Sequence, residues 1–170
     1  MRSGYAVRSP PGCCPRNATL STRPKIVVLV GLPGSGKSTW IAKQKLPCLS
    51  SDAIRHLLAD DISDQSIHRQ VFATLRHLLK RRLELRRPVT YIDATNLAPW
   101  ERRAYLVMGA LYDCEVEAVF FDIALKICKK RNRHRARVVP DEVMDAMAAR
   151  MVPPNVEEGF HRVEVVSKTR

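Results

Sequence analysis

Hydrophobic and polar positions follow two periods along this chain. The run Ile26-Val27-Val28-Leu29-Val30 is continuously apolar and β-branched, which predicts a strand buried on both faces, as in a parallel sheet. A glycine-rich turn over 31–36 follows, and Lys37 to Lys45 reads as a helix. Leu46 to Ser50 reads as a short strand, with Ser51-Asp52 placed to cap a helix through Leu58. Residues 59–65 form a polar loop. Ile67, Val71, Leu75, Leu78, Leu79 and Leu83 then recur at threes and fours, so a long helix buries that stripe and turns Arg76, Lys80, Arg81 and Arg87 outward until Pro88. Further strands are expected at 89–94, 116–123 and 160–166, and helices at 99–111, 124–132 and 140–151. Strands alternating with helices predict an α/β fold with a mainly parallel sheet covered on both faces.

Residues 1–22 differ from the rest. They hold three arginines, no acid, and Pro10, Pro11, Pro15, Gly4 and Gly12, with too few apolar residues to seed a core. The expectation is a disordered basic extension of 22 residues followed by one domain over 23–170, a length at which a core forms without staples. A secretory signal is excluded because no apolar h-region is present. No apolar run reaches the roughly 18 residues that span a bilayer. The five cysteines form no Cys-x-x-Cys pair, so neither a disulfide framework nor a zinc site is supported, and a cytoplasmic location is expected. The five histidines show no ligand spacing and read as structural. Lys and Arg total 29 against 17 Asp and Glu, a net charge of +12 that favours a polyanionic partner.

The strongest chemical signal is Gly31-Leu32-Pro33-Gly34-Ser35-Gly36-Lys37-Ser38, which satisfies G-x-x-x-x-G-K-[ST] between an expected strand and an expected helix. Glycines let the backbone curl so that amide N–H groups converge on a phosphate, and the helix adds its positive end. In that pattern Gly34, Ser35, Gly36, Lys37, Ser38 and Thr39 bind ATP, Lys37 reaches the β- and γ-phosphates, and Ser38 holds Mg²⁺. Asp93 ends the apolar strand 89–92, the position of an acid that arranges the metal, with Thr95 and Asn96 following, Asn96 also fitting a cap of the next helix. Asp52, just past the second strand, fits two roles: a carboxylate that takes the proton of an acceptor hydroxyl, or a helix cap. Arg55, one turn later, fits either a grip on an acceptor phosphate or a solvated surface charge. From Lys129 to Arg137 six of nine residues are basic, the composition of a solvated face, a nucleic-acid patch or a lid. Arg131 and Arg135 share a face if that segment is helical and are the lid pair favoured over Arg133 and Arg137. No Asn-Lys-x-Asp guanine-reading motif is present, and the folded part is too short for a motor.

Taken in order, Gly31 to Thr39, Ser51-Asp52-Ala53-Ile54-Arg55, Asp93-Ala94-Thr95-Asn96, Arg131-Asn132-Arg133-His134-Arg135 and Glu158-Gly159-Phe160 resemble the 5′-hydroxyl polynucleotide kinase module of bacterial and phage RNA-repair enzymes. Zeta toxins and several small-molecule kinases share its first element. The resemblance implies a P-loop three-layer sandwich with sheet order 2-3-1-4-5 and a small helical lid. It implies ATP and Mg²⁺ as cofactors, with Lys37 and Ser38 handling them. Asp52 is then the activator of the 5′-hydroxyl, Arg55 the grip on the adjoining phosphate, and Arg131 and Arg135 the lid arginines. The implied partners are 5′-OH ends of RNA or DNA, and no membrane. The chain leaves no room after its last expected strand for a phosphatase or ligase module, so a free-standing kinase is expected. Two other readings stay open: a kinase of a small-molecule or tRNA-linked hydroxyl, and an ATP-binding RNA-associated module that transfers nothing.

Overall fold

The computed structural model describes residues 23–135 and 137–167. The extension expected over 1–22 lies outside them. Five strands, β1 (Lys25–Val30), β2 (Cys48–Ser50), β3 (Val89–Asp93), β4 (Glu115–Asp122) and β5 (Arg162–Ser167), form one sheet in the order β2-β3-β1-β4-β5. Every pairing is parallel, so the order matches the expectation and the sheet is wholly rather than mainly parallel. β1 lies at the centre, with Val28 opposite Ile92 on one side and Ala118 on the other.

The pleat divides β1 between two cores. Ile26, Val28 and Val30 join Ile54 of α2 (Ser51–Ala59), the Val71, Leu75, Leu79 and Leu83 stripe of α3 (His68–Glu84) and Tyr105 of α4 (Pro99–Leu111). Val27 and Leu29 join Ile41 of α1 (Lys37–Gln44), Cys128 of α5 (Leu125–Asn132) and Met144 of α6 (Asp141–Ala149). The result is helix, sheet, helix, the layering a both-face-buried strand requires. Leu78, placed by periodicity on the buried stripe, sits at its margin with 36% of its surface exposed.

Two local expectations are corrected. Ser51 and Asp52 are the first residues of α2, and the cap is Ser50, whose Oγ accepts from the Ala53 amide at 3.4 Å. Asp52 is thereby released from capping. Asn96 does not cap α4 either: that helix begins after Ala98, and Asn96, buried at φ 49°, donates from Nδ2 to the Leu29 carbonyl at 2.8 Å. It ties the end of β1 to the segment leaving β3. Glu101 closes the start of α4 by accepting the Leu97 amide at 2.7 Å.

Arg102 joins distant parts of the chain. Fully buried in α4, it donates to Glu158 Oε2 and Oε1 at 2.9 and 2.6 Å and to the carbonyls of Asn96, Leu97 and Val152 at 2.9, 3.1 and 3.0 Å. Glu158 belongs to a 3₁₀ turn (Val156–Glu158). This bidentate pair locks the β3–α4 corner to the segment that leads into β5.

Candidate active site

In a parallel sheet the strand carboxyl ends share one edge, and ligands bind in the crevice there. A cleft of about 1460 Å³ opens at that edge, lined by Gly34 through Thr39, Asp52, Arg55, Asp93, Arg131 and Arg135. No group of three or more His, Cys, Asp or Glu suited to a metal occurs among the described residues.

The phosphate loop is built by its glycines. Gly31, Gly34 and Gly36 have φ of 152°, 78° and 105°. Gly34 is also a close approach, since a Cβ there would lie 2.4 Å from the Cys128 carbonyl oxygen of α5. Gly34→Ala is therefore expected to cost about 1–3 kcal/mol in backbone strain alone, with the overlap adding to it. Denaturant melts and nucleotide titration check this, and both stability and affinity fall.

Lys37 is buried, and its Nζ donates to the carbonyls of Gly31 and Leu32 at 2.7 and 2.8 Å and to Ser35 Oγ at 3.3 Å. Burial pushes its pKa down to about 8, only partly offset by Asp93. A polyphosphate brought beside Nζ favours the charged form and raises that pKa. Above pH 8 the complex thus binds more protons than the free protein, so ATP binding takes up a proton, approaching one at pH 9, and affinity falls as pH rises. Calorimetry at pH 9 in buffers of different ionisation enthalpy reads the uptake, which Lys37→Met abolishes; no uptake in the native protein contradicts the assignment.

Ser38 Oγ donates to Asp93 Oδ2 at 2.7 Å. A hydroxyl and a carboxylate, both hard oxygen donors, meet at the start of α1 beside Lys37. That donor chemistry fits Mg²⁺, which takes one or two protein oxygens alongside phosphate oxygens.

Asp52 faces three arginines. Its Oδ1 accepts from Arg137 Nη1 at 2.8 Å and Arg55 Nη1 at 3.0 Å, while Arg135 Nη2 stands 3.5 Å from Oδ2. Oδ2 is the less committed oxygen. Arg55 is 3% exposed, not a solvated surface charge, and its Nε is buried without a hydrogen-bond partner. Such an orphaned donor at a cleft wall calls for an acceptor.

The helix expected over 124–132 is present, and the condition for Arg131 and Arg135 to share a helical face is not met. α5 ends at Asn132, so Arg135 lies beyond the helix, although both it and Arg131 reach the cleft. Arg131 Nη1 is 3.4 Å from the carbonyls of Gly34 and Ser35, against the phosphate loop. Arg137, ranked below that pair by sequence, makes the shorter contact to Asp52, while Arg133 faces outward to Asp141 at 3.0 Å. Asn132 anchors the segment by exchanging hydrogen bonds with Val139, donating at 2.7 Å and accepting at 3.2 Å.

Known proteins share the sequence pattern and the fold of this chain. The model of the AAA domain family AAA_33 matches residues 26–154, most of the chain and all of the elements just described up to the 3₁₀ turn. The chain belongs to this AAA domain family. Among curated proteins, this AAA domain chain is 24% identical over 151 residues to the bifunctional polynucleotide phosphatase/kinase of Schizosaccharomyces pombe, covering 86% of the chain and 34% of that protein. It spans about a third of that relative's length. A chain of the Pnkp1/Rnl/Hen1 RNA repair complex has the same fold, with a TM-score of 0.58 and 20% identity over 81% of this chain and 46% of that one. So does the APS kinase CysC of Mycobacterium tuberculosis, solved with AMPPNP and APS, with a TM-score of 0.54 and 19% identity over 87% and 90% of the two chains. The AAA domain chain thus has the P-loop kinase fold. No helix among its described residues is long and apolar enough to cross a membrane.

Proposed function

We propose that this protein transfers the γ-phosphoryl group of ATP to the 5′-hydroxyl end of a polynucleotide. The observation that carries the reading is the pair on α2: Asp52, which lines the cleft and whose Oδ2 has only the 3.5 Å contact to Arg135, stands one turn from Arg55, whose buried Nε lacks a partner. A 5′-terminal nucleotide offers both a hydroxyl to activate and a phosphate to grip. The similar proteins named as a polynucleotide phosphatase/kinase and as part of an RNA repair complex support the same acceptor.

In this reading Asp52 accepts the hydroxyl proton as the oxygen bonds to the γ-phosphorus, and the bond to the β,γ-bridging oxygen breaks with its electron pair leaving on ADP. Lys37 and the loop amides hold the β- and γ-phosphates. Arg131 and Arg135 are the lid arginines set against charge on the transferring group. Ser38 and Asp93 hold Mg²⁺, which when bound supplies positive charge to the phosphate oxygens. Arg55 grips the acceptor phosphate and thereby fixes the hydroxyl against Asp52.

ATP consumption measured over a panel of acceptors tests the assignment: a 5′-OH oligonucleotide, the same strand bearing a 5′-phosphate, APS, and small sugar acids. The expected result is turnover with the 5′-OH strand alone. Turnover with APS or a sugar acid and none with the oligonucleotide assigns the site to a small acceptor instead.

A further inference from the structure

The part of the cleft lining formed by α3 and the start of α4 carries side chains that the transfer chemistry does not use. α3 presents two faces. Val71, Leu75, Leu79 and Leu83 enter the core, while Arg69, Ala73 and Arg76, at i, i+4 and i+7, line the cleft. The ion pairs of α3, Lys80–Glu84 and Arg81–Glu84, lie at its other end, so Arg69 and Arg76 face the cleft without a carboxylate partner among the described residues. The one acid on this wall, Glu101, is engaged by the Leu97 amide and by Arg150 at 3.2 Å.

Trp100, at the start of α4, lines the same cleft with 68% of its surface exposed. The aromatic contacts of the described residues join Trp40 to Tyr91 and Phe121, and His68 to Phe72; Trp100 takes part in none. An indole left open on a cleft rim beside uncompensated guanidiniums has the two components of single-strand binding, a stacking surface and a cationic track. The cleft volume of about 1460 Å³ exceeds the roughly 300–1,000 Å³ of ordinary small-ligand pockets, leaving room beyond one nucleotide.

We infer that this wall seats the acceptor strand beyond its reacting end: Trp100 stacks a base, and Arg69 and Arg76 hold backbone phosphates. The inference rests on the acceptor being a 5′-OH strand, as proposed above. It makes the enzyme one that selects for strand length, because a mononucleotide reaches Arg55 but not this wall.

The test compares 5′-OH acceptors of one, two, four and eight nucleotides, reading transfer kinetics and, separately, anisotropy of a fluorescent eight-nucleotide strand at several salt concentrations. In the native protein KM is expected to fall about tenfold or more from the mononucleotide to the tetranucleotide. In Arg69→Gln/Arg76→Gln that fall flattens with kcat nearly kept, and the salt slope of strand binding drops by about 1.4, the loss of two phosphate contacts on a single strand. Trp100→Ala raises KM for the longer strands about 5- to 150-fold, and Trp100→Phe restores most of it. Lys80→Gln/Arg87→Gln removes the same charge away from the cleft and leaves the length dependence intact. Transfer by the native protein with no length dependence, or a length dependence unchanged in the cleft variants, overturns the wall's role while leaving the proposed reaction standing. No transfer to any 5′-OH strand by the native protein overturns both.

Discussion

Asp52→Asn is expected to lower phosphoryl transfer about 10²- to 10⁴-fold, the range for loss of a positioned general base, while ATP binding stays close to native. The separation follows from geometry. In the proposed reading the β- and γ-phosphates of ATP rest chiefly on the glycine loop and Lys37, whereas Asp52 sits on α2 in contact with Arg55, Arg135 and Arg137. Asparagine keeps the size and one carbonyl oxygen, so the arginines retain a hydrogen-bond acceptor. The substitution removes the proton acceptor together with the negative charge that Arg55, Arg135 and Arg137 face. The measurements are single-turnover transfer rate and nucleotide affinity on the same preparation. A variant that turns over at the native rate removes Asp52 from the role of base, and one that loses ATP affinity in proportion to rate moves its role to nucleotide binding.

The largest stability effect is expected at Arg102, not in the cleft. Arg102→Met is expected to cost about 3–5 kcal/mol, the penalty for breaking a buried ion pair by removing one partner. Methionine fills much of the same volume, but Glu158 loses both guanidinium contacts, and the carbonyls of Asn96, Leu97 and Val152 lose their donor. Equilibrium denaturation checks the size. Arg102→Met/Glu158→Gln, which also removes the stranded charge, is expected to recover part of the loss. A single variant within about 0.5 kcal/mol of native contradicts the clamp, since such a small change is typical of unremarkable surface sites.

These two sites differ in how far the sequence exposes them. The phosphate loop is local, with its strand, glycines, lysine and helix contiguous, and the structure sets Gly34 through Thr39 together at the cleft. Asp93 is likewise marked by ending an apolar strand, and the structure places it 2.7 Å from the Ser38 hydroxyl. Asp52 was ambiguous because an acid at a helix start satisfies capping and chemistry equally well by spacing. The capping alternative ends only when Ser50 is seen to take the cap. Arg55 and Arg102 carry no local sign of burial, because a buried arginine is defined by partners elsewhere in the chain, in the case of Arg102 by Glu158, 56 residues away. The resemblance marked Glu158-Gly159-Phe160 as part of a pattern without disclosing that Glu158 serves the fold. Arg137 ranks below Arg131 and Arg135 by spacing, because spacing does not disclose that the chain beyond α5 turns Arg137 onto Asp52. Trp100 and the Arg69–Arg76 face share this property: periodicity identifies a helix face turned away from the core, but only the packed helices show that the face meets a cleft.

The most direct test of the account is transfer of labelled γ-phosphate from ATP, with Mg²⁺, to matched oligonucleotides ending in 5′-OH or 5′-phosphate, as RNA and as DNA, with Lys37→Ala and Asp52→Asn alongside. The account predicts label at the 5′ end of the 5′-OH strands only, lost or reduced at least a hundredfold in both variants. ATP bound normally and no label on any strand would contradict it.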